Sequence, residues 1–483
     1  MAMTIFERSV KGRVAVRLPK NDVETKLSDC FDKKYLRKED APLPEVSELD
    51  VMRHFTELGN MNHCIEKGMY PLGSCTMKYN PKLNETLVRN HKFSNLHPYQ
   101  PEDTVQGTLE VMYRLQEDLN EIAGMKNTTL QPVAGAHGEF TGLKIIHAYH
   151  EEKGTIGTKK KIFFPDSAHG TNPASVILAG FEPVEIPSND KGMVNIDTLR
   201  EVVDETCAGF MLTNPNTLGI FEAQIDEISE IIHGVDGLFY MDGANLNALL
   251  GLVKPGHNGF DILHFNLHKT FATPHGGGGP GAGPIGVKEK LVKYLPVPLV
   301  AKKDDKYFLD FGNEASSIGK VHSFFGNIGV LLRAFIYIKT LGADGLHRVS
   351  ENAVLNANYL FRKLDKHFEI PYKEHCMHEF VASGDWQKHK HGVSTLDIAK
   401  RLLDKGYHAP TIYFPLIVHE ALMIEPTETE SKQSLDQFIE TMIEIAEEAE
   451  NDPELVKSAP INTPVKRVDE VKAAKDLNIV FED

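Results

Sequence analysis

Residues 261–287, DILHFNLHKTFATPHGGGGPGAGPIGV, combine an apolar run, one lysine and seven glycines within the eleven residues 276–286. The apolar run at 262–267 predicts a buried strand that ends next to Lys269. Burial disfavours the charged form of an amine, and a neutral lysine can form a Schiff base with an aldehyde cofactor such as pyridoxal 5'-phosphate (PLP). A solvated lysine that closes a strand is the alternative, and this stretch alone leaves both interpretations open.

The glycines and histidines of this stretch do not match two other kinds of site. They do not form a Walker A loop, because no Gly-Lys-Ser/Thr follows the glycines. His264 and His268 are four residues apart, but Phe265 stands where a zinc protease of this pattern needs glutamate. We therefore predict no metal site, and we interpret the glycines as backbone that lets chain or ligand approach closely.

The composition indicates a large acidic enzyme of several domains. The chain has 483 residues, with 52 Lys and Arg against 68 Asp and Glu, a net charge of −16. This balance argues against nucleic acid or an anionic membrane as a partner. The five cysteines lack zinc spacing, no run of 18 apolar residues occurs, and the first residues lack the apolar core of a secretion signal. We expect a cytoplasmic protein without a membrane span.

From residue 161 onwards, strands and helices are predicted to alternate. Strands are predicted at 161–165, 183–186, 209–213, 237–241 and 262–267, and helices at 196–204 and 225–233. Such short units predict an α/β fold with a mainly parallel, doubly wound sheet, and the pattern after 372 predicts a small C-terminal α/β domain. The expected domains are an N-terminal arm with substrate-side loops (1–105), a large domain (106–335), a helical connector (336–371) and the small domain (372–483).

Candidate site residues follow the predicted strands. Ligands of doubly wound sheets bind outside the carboxyl ends of the strands. Four polar residues are predicted at these ends: His169, Asn214, Asp242 and Lys269. A turn that opens a helix favours an anion, and it consists of Ala134, Gly135, Ala136 and His137. Two earlier loops carry Ser74, Thr76 and His97, which could contact a carboxylate or could simply be structural.

This order of residues meets the four demands of PLP. The cofactor needs an anion site for its phosphate, a flat group against its ring, a carboxylate at its pyridine nitrogen and a lysine. The 134–139 turn, His169, Asp242 and Lys269 supply them in that order. Taken singly, Asp242 and His169 could be ordinary turn or capping residues. Together the four predict a PLP site.

Longer motifs resemble a known family. They are PLGSCTMKYNPK (71–82), GAHGEFTGL (135–143), HGTNPAS (169–175), TNPNTLGIFE (213–222), MDGANLNAL (241–249), NLHKTFATPHGGGGPG (266–281), HAPTIYFP (408–415) and LMIEPTETE (422–430). Over nearly its whole length the chain resembles fold-type-I (aspartate-aminotransferase-like) PLP enzymes, and most closely the P-protein of glycine cleavage, glycine dehydrogenase (decarboxylating). In one form of this enzyme, two chains of roughly half length replace one long chain. The length of this chain and its Lys269 resemble subunit 2 of that form.

The resemblance implies a reaction and partners. Glycine would be decarboxylated with release of CO2, and the aminomethyl group would pass to the lipoyl arm of the H-protein. Lys269 would form the Schiff base, Asp242 would hold the pyridinium and His169 would stack on the ring. Further cofactor contacts are expected from Asn214, Asn245, Asn266 and His268. A partner subunit 1, in a heterotetramer with two copies of each chain, is also implied.

Two further expectations concern the substrate side of the site. Ser74, Thr76 and His97 are candidates for binding glycine, because the motifs contain no arginine that could bind its carboxylate. A bulky residue at Gly277 or Gly278 is expected to impair lipoyl transfer more than PLP binding.

Two alternatives stay open at this point. One is another fold-type-I enzyme, such as an amino-acid decarboxylase or a cysteine desulfurase, for which Cys376 is the late-chain candidate nucleophile. The other is a catalytically silent scaffold subunit, against which Lys269 argues.

Overall fold

The chain forms two compact units. The computed structural model describes residues 3–20, 22–23, 25–39, 41–276, 281–312, 315–373 and 375–479. One unit holds the described residues of Met1–Cys64 and Pro460–Asp483, and the other is Ile65–Ala459. Gly277 and Gly278 lie outside the described residues. Within the described part of the chain, no helix combines the length and the apolar character needed to span a membrane.

The first unit is mostly irregular. Its helices are Leu27–Cys30, Glu48–Met61 and Glu470–Lys475, with a 3-10 turn at Lys33–Tyr35. The helix Glu48–Met61 begins at a capping box, in which the Ser47 side chain accepts from the Asp50 N–H and the Asp50 side chain accepts from the Ser47 N–H. This cap explains why the helix starts at Glu48, since the cap satisfies N–H groups that a helix start leaves free.

The second unit is built on a seven-stranded sheet. Its strands are β1 (Asn127–Thr129), β2 (Lys161–Pro165), β3 (Glu182–Ile186), β4 (Cys207–Thr213), β5 (Leu238–Gly243), β6 (Ile262–Phe265) and β7 (Ile285–Val287). Their order is β1-β7-β6-β5-β4-β2-β3. All neighbouring pairs from β3 to β6 are parallel, and only β7 runs antiparallel to its neighbours β6 and β1. The predicted mainly parallel α/β fold is confirmed.

Apolar side chains cover both faces of this sheet. Along β5, Phe239 and Met241 belong to one hydrophobic cluster, whereas Leu238 and Tyr240 belong to another. Successive strand residues point to opposite faces, so a central strand with both faces buried is apolar throughout. The helices of this unit up to the last parallel strand are Lys82–Val88, His91–Ser94, Gln106–Ala123, Gly135–Glu152, Thr171–Leu178, Ile196–Val202 and Ile225–Gly234.

After the large sheet, the chain continues through a long helix to a second, smaller sheet. The hairpin β8 (Leu299–Lys303) and β9 (Lys306–Asp310) precedes the helix Ile328–Leu364, which is kinked at Gly342. The small sheet has the order β10-β12-β11 and is antiparallel. Its strands are β10 (Phe380–Ser383), β11 (Thr411–Ile412) and β12 (Ala421–Ile424), and its helices are Asp385–His391, Thr395–Asp404, Lys432–Asn451 and Pro453–Ser458. The predicted domain boundaries stay predictions.

Candidate active site

Lys269 lies just beyond the end of β6. The strand ends at Phe265, and a short helix, Leu267–Thr270, carries the lysine. The expected strand at 262–267 was therefore two residues too long, because Leu267 is buried in the helix rather than in the strand. No hydrogen bond or ion pair joins the Lys269 amine to any residue that the structure describes. A half-buried amine without a protein partner is available for chemistry.

Asp242 is a buried carboxylate at the end of β5, with 2% of its surface exposed. It accepts hydrogen bonds from the Ala244 N–H at 2.9 Å and from Asn172 Nδ2 at 3.1 Å. Burial opposes its charge, but His264, Lys269 and the two hydrogen bonds outweigh burial and hold the pKa of Asp242 below its usual range. Asp242 therefore stays ionised at neutral pH.

His264 connects Asp242 to the sheet behind it. The two residues are opposite each other in the parallel pair of β5 and β6. His264 Nε2 lies 3.2 Å from Asp242 Oδ1, and its Nδ1 lies 2.7 Å from the Tyr240 hydroxyl. We considered His264 in the sequence only as a zinc ligand and missed this role. The strand register would have indicated it, because β5 and β6 place these side chains on the same face.

His169 lies between β2 and the helix Thr171–Leu178, as expected for a residue beyond a strand end. Its Nδ1 accepts from the Thr171 N–H at 3.3 Å. Burial, and then the nearby Lys269, lower the pKa of His169, so its ring is neutral at pH 7. The ring also meets Phe414 edge to face at 5.7 Å. A neutral, flat ring near Asp242 and Lys269 is compatible with the expected stacking role, which stays a prediction.

The expected anion turn opens the helix Gly135–Glu152 and is closely packed. A Cβ on Gly135 would lie 2.4 Å from Asn266 Oδ1, and a Cβ on Gly283 would lie 2.1 Å from the Ala134 carbonyl oxygen. Asn266 therefore meets the turn directly. Ala136 is exposed, and the His137 ring accepts from the Val133 N–H at 3.2 Å. The glycines that follow Lys269 thus bring backbone against backbone at the start of a helix.

Two asparagines near these elements, Asn214 and Asn245, each have a buried polar atom without a partner in the described part of the chain, and a nearby histidine, His268, is uncharged. Asn214 accepts from the Glu222 N–H at 2.9 Å, but its buried Nδ2 has no partner among the described residues. Asn245 donates to the Pro215 carbonyl at 2.9 Å, and its Oδ1 likewise has no partner there. Burial and the Lys269 charge lower the pKa of His268 to about 3, so its imidazole is neutral. Buried polar atoms without partners are expected to be satisfied by a ligand or water.

The three substrate-side candidates separate into two places. The Ser74 and Thr76 N–H groups donate to Glu379 and Glu425, at 2.6 and 2.8 Å, and so are not free for an anion. His97 lines a cavity of ≈ 600 Å³ with other residues including Pro274 and Arg333. Their contact with substrate stays a prediction.

Sequence reasoning missed four ionisable residues around Lys269. These are His275, His378, Glu379 and Glu425. The Lys269 charge acts on each of their pKa values. Burial and Lys269 lower the pKa of His275 to about 4 and that of His378 to about 3. Three of them flank β10 and β12, and the antiparallel pairing of these strands, which periodicity along the chain does not show, brings them together.

Cys376 does not have the environment of a nucleophile. It is 5% exposed, and burial raises the pKa of its thiol to about 12. The thiolate is the reactive form of cysteine, and burial among apolar groups suppresses it. This observation disfavours the cysteine desulfurase alternative.

Comparison with known proteins gives close relatives over nearly the full chain. A protein of Listeria welshimeri named probable glycine dehydrogenase (decarboxylating) subunit 2 is 58% identical over 98% of this chain and 96% of its own length. Proteins of the same name from Staphylococcus aureus (58%) and Bacillus velezensis (57%) match 99% of this chain and 97% of their own length.

Solved structures support the same fold at lower identity. A glycine decarboxylase (P-protein) of the glycine cleavage system has a TM-score of 0.73 at 20% identity, covering 87% of this chain and 94% of that one. Glutamate decarboxylase of Lactobacillus brevis has a TM-score of 0.67 at 14% identity, covering 88% and 97%. At these identities the likeness concerns the fold alone.

The family models agree with the relatives. The model of the glycine cleavage system P-protein matches residues 19–315, and that of the glycine dehydrogenase C-terminal domain matches 349–465. The first match alone covers more than half of the chain and contains Asp242, His264 and Lys269. The chain belongs to the glycine cleavage system P-protein family.

Proposed function

We propose that the chain is the lysine-bearing subunit that decarboxylates glycine and transfers the aminomethyl group to the lipoyl arm of the H-protein, with release of CO2. The predicted enzyme, glycine dehydrogenase (decarboxylating), is confirmed by relatives of that name at 57–58% identity. The observation that carries the proposal is the unpaired Lys269 amine beside the ionised Asp242. Among fold-type-I enzymes, these two residue types are those that PLP requires.

The residues present fit PLP on three grounds. Asp242 is negatively charged and buried. A buried charge needs an oppositely charged partner, and the protonated ring nitrogen of PLP would be one. Asn214 Nδ2 and Asn245 Oδ1 are buried atoms without a partner among the described residues. The helix that starts at Gly135 has 18 residues, and its first N–H groups and dipole favour a phosphate.

Each residue then has a defined task. PLP, when bound, supplies an electron-accepting ring for the bond that breaks as CO2 leaves. Lys269 would hold the cofactor through its Nζ, which could also hold or move a proton. Asp242, beside His264, would keep the ring nitrogen protonated, and His169 would stack on the ring. The 134–137 turn, Asn266 and His268 would bind the phosphate, and Asn214 and Asn245 would contact the ring hydroxyl.

The partners follow from the family and from the names of the relatives. We propose a heterotetramer of two copies of this chain and two of a subunit 1, acting on a lipoylated H-protein in the cytoplasm. The word "subunit 2" in the names of the relatives supports a partner chain. Copurification with a second chain of similar length tests this proposal.

The test of the proposed function compares Lys269→Ala with Lys160→Ala, a change of an exposed lysine. We expect wild type and Lys160→Ala, reconstituted with PLP, to show the visible band of lysine-bound cofactor at roughly 420 nm. Both should also exchange bicarbonate into the glycine carboxyl group in the presence of subunit 1 and H-protein. Lys269→Ala should lose band and exchange.

Two results would contradict the proposal. A band that persists in Lys269→Ala, or its absence from wild type, would favour the silent scaffold. Release of sulfide from cysteine without glycine exchange would favour a desulfurase.

A further inference from the structure

Glu379 and Glu425 form a buried pair of carboxyl groups near Lys269. In the antiparallel pairing of β10 and β12, Phe380 is opposite Ile424. Glu379 precedes Phe380 and Glu425 follows Ile424, so the two glutamates occupy the next position across the pair. Both are 0% exposed, and one oxygen of each lies within 4.8 Å of the other. Two ionised carboxylates this close in a buried site would repel strongly.

The two carboxyl groups hold a strained turn. Ser74 has φ 62° and Thr76 has φ 47°, in the left-handed region that a β-branched residue rarely adopts. Glu379 Oε2 accepts from the Ser74 N–H at 2.6 Å. Glu425 accepts from the Thr76 N–H at 2.8 Å and from its hydroxyl at 2.6 Å. These short hydrogen bonds to buried carboxyl oxygens offset the strain of the turn.

Ionisable groups from four segments of the chain lie around the pair, and they are Lys269, Glu428, Cys75 and His378. The charge of Lys269, on the helix after β6, acts to lower the pKa of both glutamates. Glu428, after β12, is paired with Lys78 at 2.7 Å. Cys75, in the turn, is neutral at pH 7, because burial raises the pKa of its thiol to about 11. A single lysine charge cannot balance two carboxylates.

His378 is the fourth neighbour and does not form an ion pair of normal length. Its Nε2 lies 3.8 Å from Glu379 Oε1 and 3.9 Å from Glu425 Oε1, and both ring nitrogens lack hydrogen-bond partners among the described residues. Burial, followed by Lys269, lowers the pKa of His378 to about 3. The histidine is therefore neutral at pH 7, and burial raises the pKa of both glutamates.

The contacts indicate which glutamate carries a proton. Both oxygens of Glu425 accept short hydrogen bonds from Thr76, as an ionised carboxylate does. Glu379 Oε1, in contrast, accepts a single, longer hydrogen bond from the residues that the structure describes, from Asn245 Nδ2 at 3.2 Å. A proton on this oxygen would point into the space shared with Glu425 Oε1 and His378 Nε2.

We propose that Glu379 and Glu425 are positioning residues that share one proton, and that the singly charged pair holds the 74–76 turn against Lys269. Loss of this proton at alkaline pH places two negative charges side by side and releases the turn. The inference rests on the proposed function, since the turn is assigned to the glycine side of the site. It adds to that function a pH-sensitive support for the reacting lysine.

The experiment uses the full-length chain with PLP, subunit 1 and H-protein, and three variants. Glu379→Gln replaces the protonated member by a neutral group of the same shape, and Glu425→Gln replaces the ionised member. Glu420→Gln is the matched control, because Glu420 is a buried glutamate directly before β12 and accepts from the Thr395 N–H at 2.6 Å. Circular dichroism and the cofactor band report whether each variant folds.

Two readouts separate positioning from simple stability. Infrared spectra at neutral pH should show the carbonyl band of a protonated carboxyl group in wild type and in Glu420→Gln. This band should be lost in Glu379→Gln and in Glu425→Gln. The glycine exchange rate of wild type should fall at alkaline pH. Glu379→Gln should lose this alkaline fall, and Glu425→Gln should lower the rate about 10- to 100-fold at all pH values.

Several outcomes would overturn the inference. A wild type without the carboxyl band contradicts the shared proton, and so does a tightly bound divalent cation in each purified chain. An alkaline fall that is unchanged in Glu379→Gln contradicts the pH-sensitive role. If wild type shows the band but does not exchange bicarbonate into glycine, the proposed function fails while the shared proton stands.

Discussion

Asp242 keeps its negative charge where burial opposes that charge. Three neighbours help to make this possible: His264, which the pairing of β5 with β6 places opposite Asp242, Asn172 on the helix Thr171–Leu178, and the Ala244 N–H directly after β5. The carboxylate is thus prepared before any ligand arrives. Preorganisation of this kind lowers the cost of binding a cationic ring, because no group has to reorganise.

Changing Asp242 to Asn should weaken PLP binding about 10- to 100-fold, because a hydrogen bond to a charged group contributes about 1.5–3 kcal/mol. The lowered pKa of Asp242 means that its charge is present above the usual aspartate range and is lost as pH falls through its folded pKa. The difference between variant and wild type should therefore shrink in acid.

A titration of apoprotein with PLP, followed by absorbance, measures this effect. Asp236→Asn is the control, since Asp236 forms an ion pair with Lys153 in which both side chains are partly exposed. Equal affinities of Asp242→Asn and wild type at pH 7 would show that Asp242 does not face the cofactor.

At the scale of single residues, the sequence indicated which side chains lie at the strand ends. The positions of Lys269, Asp242 and His169 could be predicted, because each lies at or beyond the end of a strand whose apolar pattern is clear, and their roles stay predictions. Glu379 and Glu425 could not, since their role depends on a pairing between strands about forty residues apart and on contact with a turn at the other end of the chain. Single-chain periodicity contains no information on such contacts.

Glycines fix how closely the elements around the site approach. Gly283 packs against the Ala134 carbonyl, and its N–H donates to the Pro132 carbonyl at 2.9 Å. Gly107, at the start of the helix Gln106–Ala123, has no atom within 4 Å of the position of a Cβ. The same residue type thus serves a close contact at one position and none at the other.

The change Gly283→Ala should destabilise the protein by about 1–3 kcal/mol, because its methyl group must displace backbone. It should also weaken PLP binding, since the displaced backbone is the proposed phosphate turn. The matched change Gly107→Ala should instead stabilise by about 0.5–1 kcal/mol, as alanine loses less entropy in a helix. Urea unfolding and PLP titration of both variants measure these effects, and a neutral Gly283→Ala would refute the close approach.

Element by element, the sequence predicted the parallel strands well and the boundaries less well. The strand β2 was predicted at its observed bounds, because an apolar run with charged flanks defines it. The helix after β6 was missed, because Leu267 continues the apolar run and periodicity cannot separate the last strand residue from a buried helical one.

Over the whole second unit, distant segments meet at one ammonium group. Lys78 is 4% exposed and donates to Glu428 at 2.7 Å, to Asn247 at 2.8 Å and to the Thr270 carbonyl at 2.8 Å. Burial opposes its charge, but Glu428 outweighs burial and raises the pKa of Lys78. The segment before the large sheet, the loop after β12 and the helix of Lys269 are therefore joined at a single point, which no local pattern could reveal.

Because these contacts are buried, we expect Lys78→Met to cost about 3–5 kcal/mol of unfolding free energy at pH 7.5, mainly by leaving Glu428 charged without a cation. The double variant Lys78→Met with Glu428→Gln should be clearly more stable than the sum of the single changes predicts, since neither charge is then left alone. The raised pKa of Lys78 means that its contribution is complete at neutral pH and is lost only as pH rises through the folded value. Urea unfolding at pH 7.5 measures all three variants, and additive losses would show that Lys78 and Glu428 act independently.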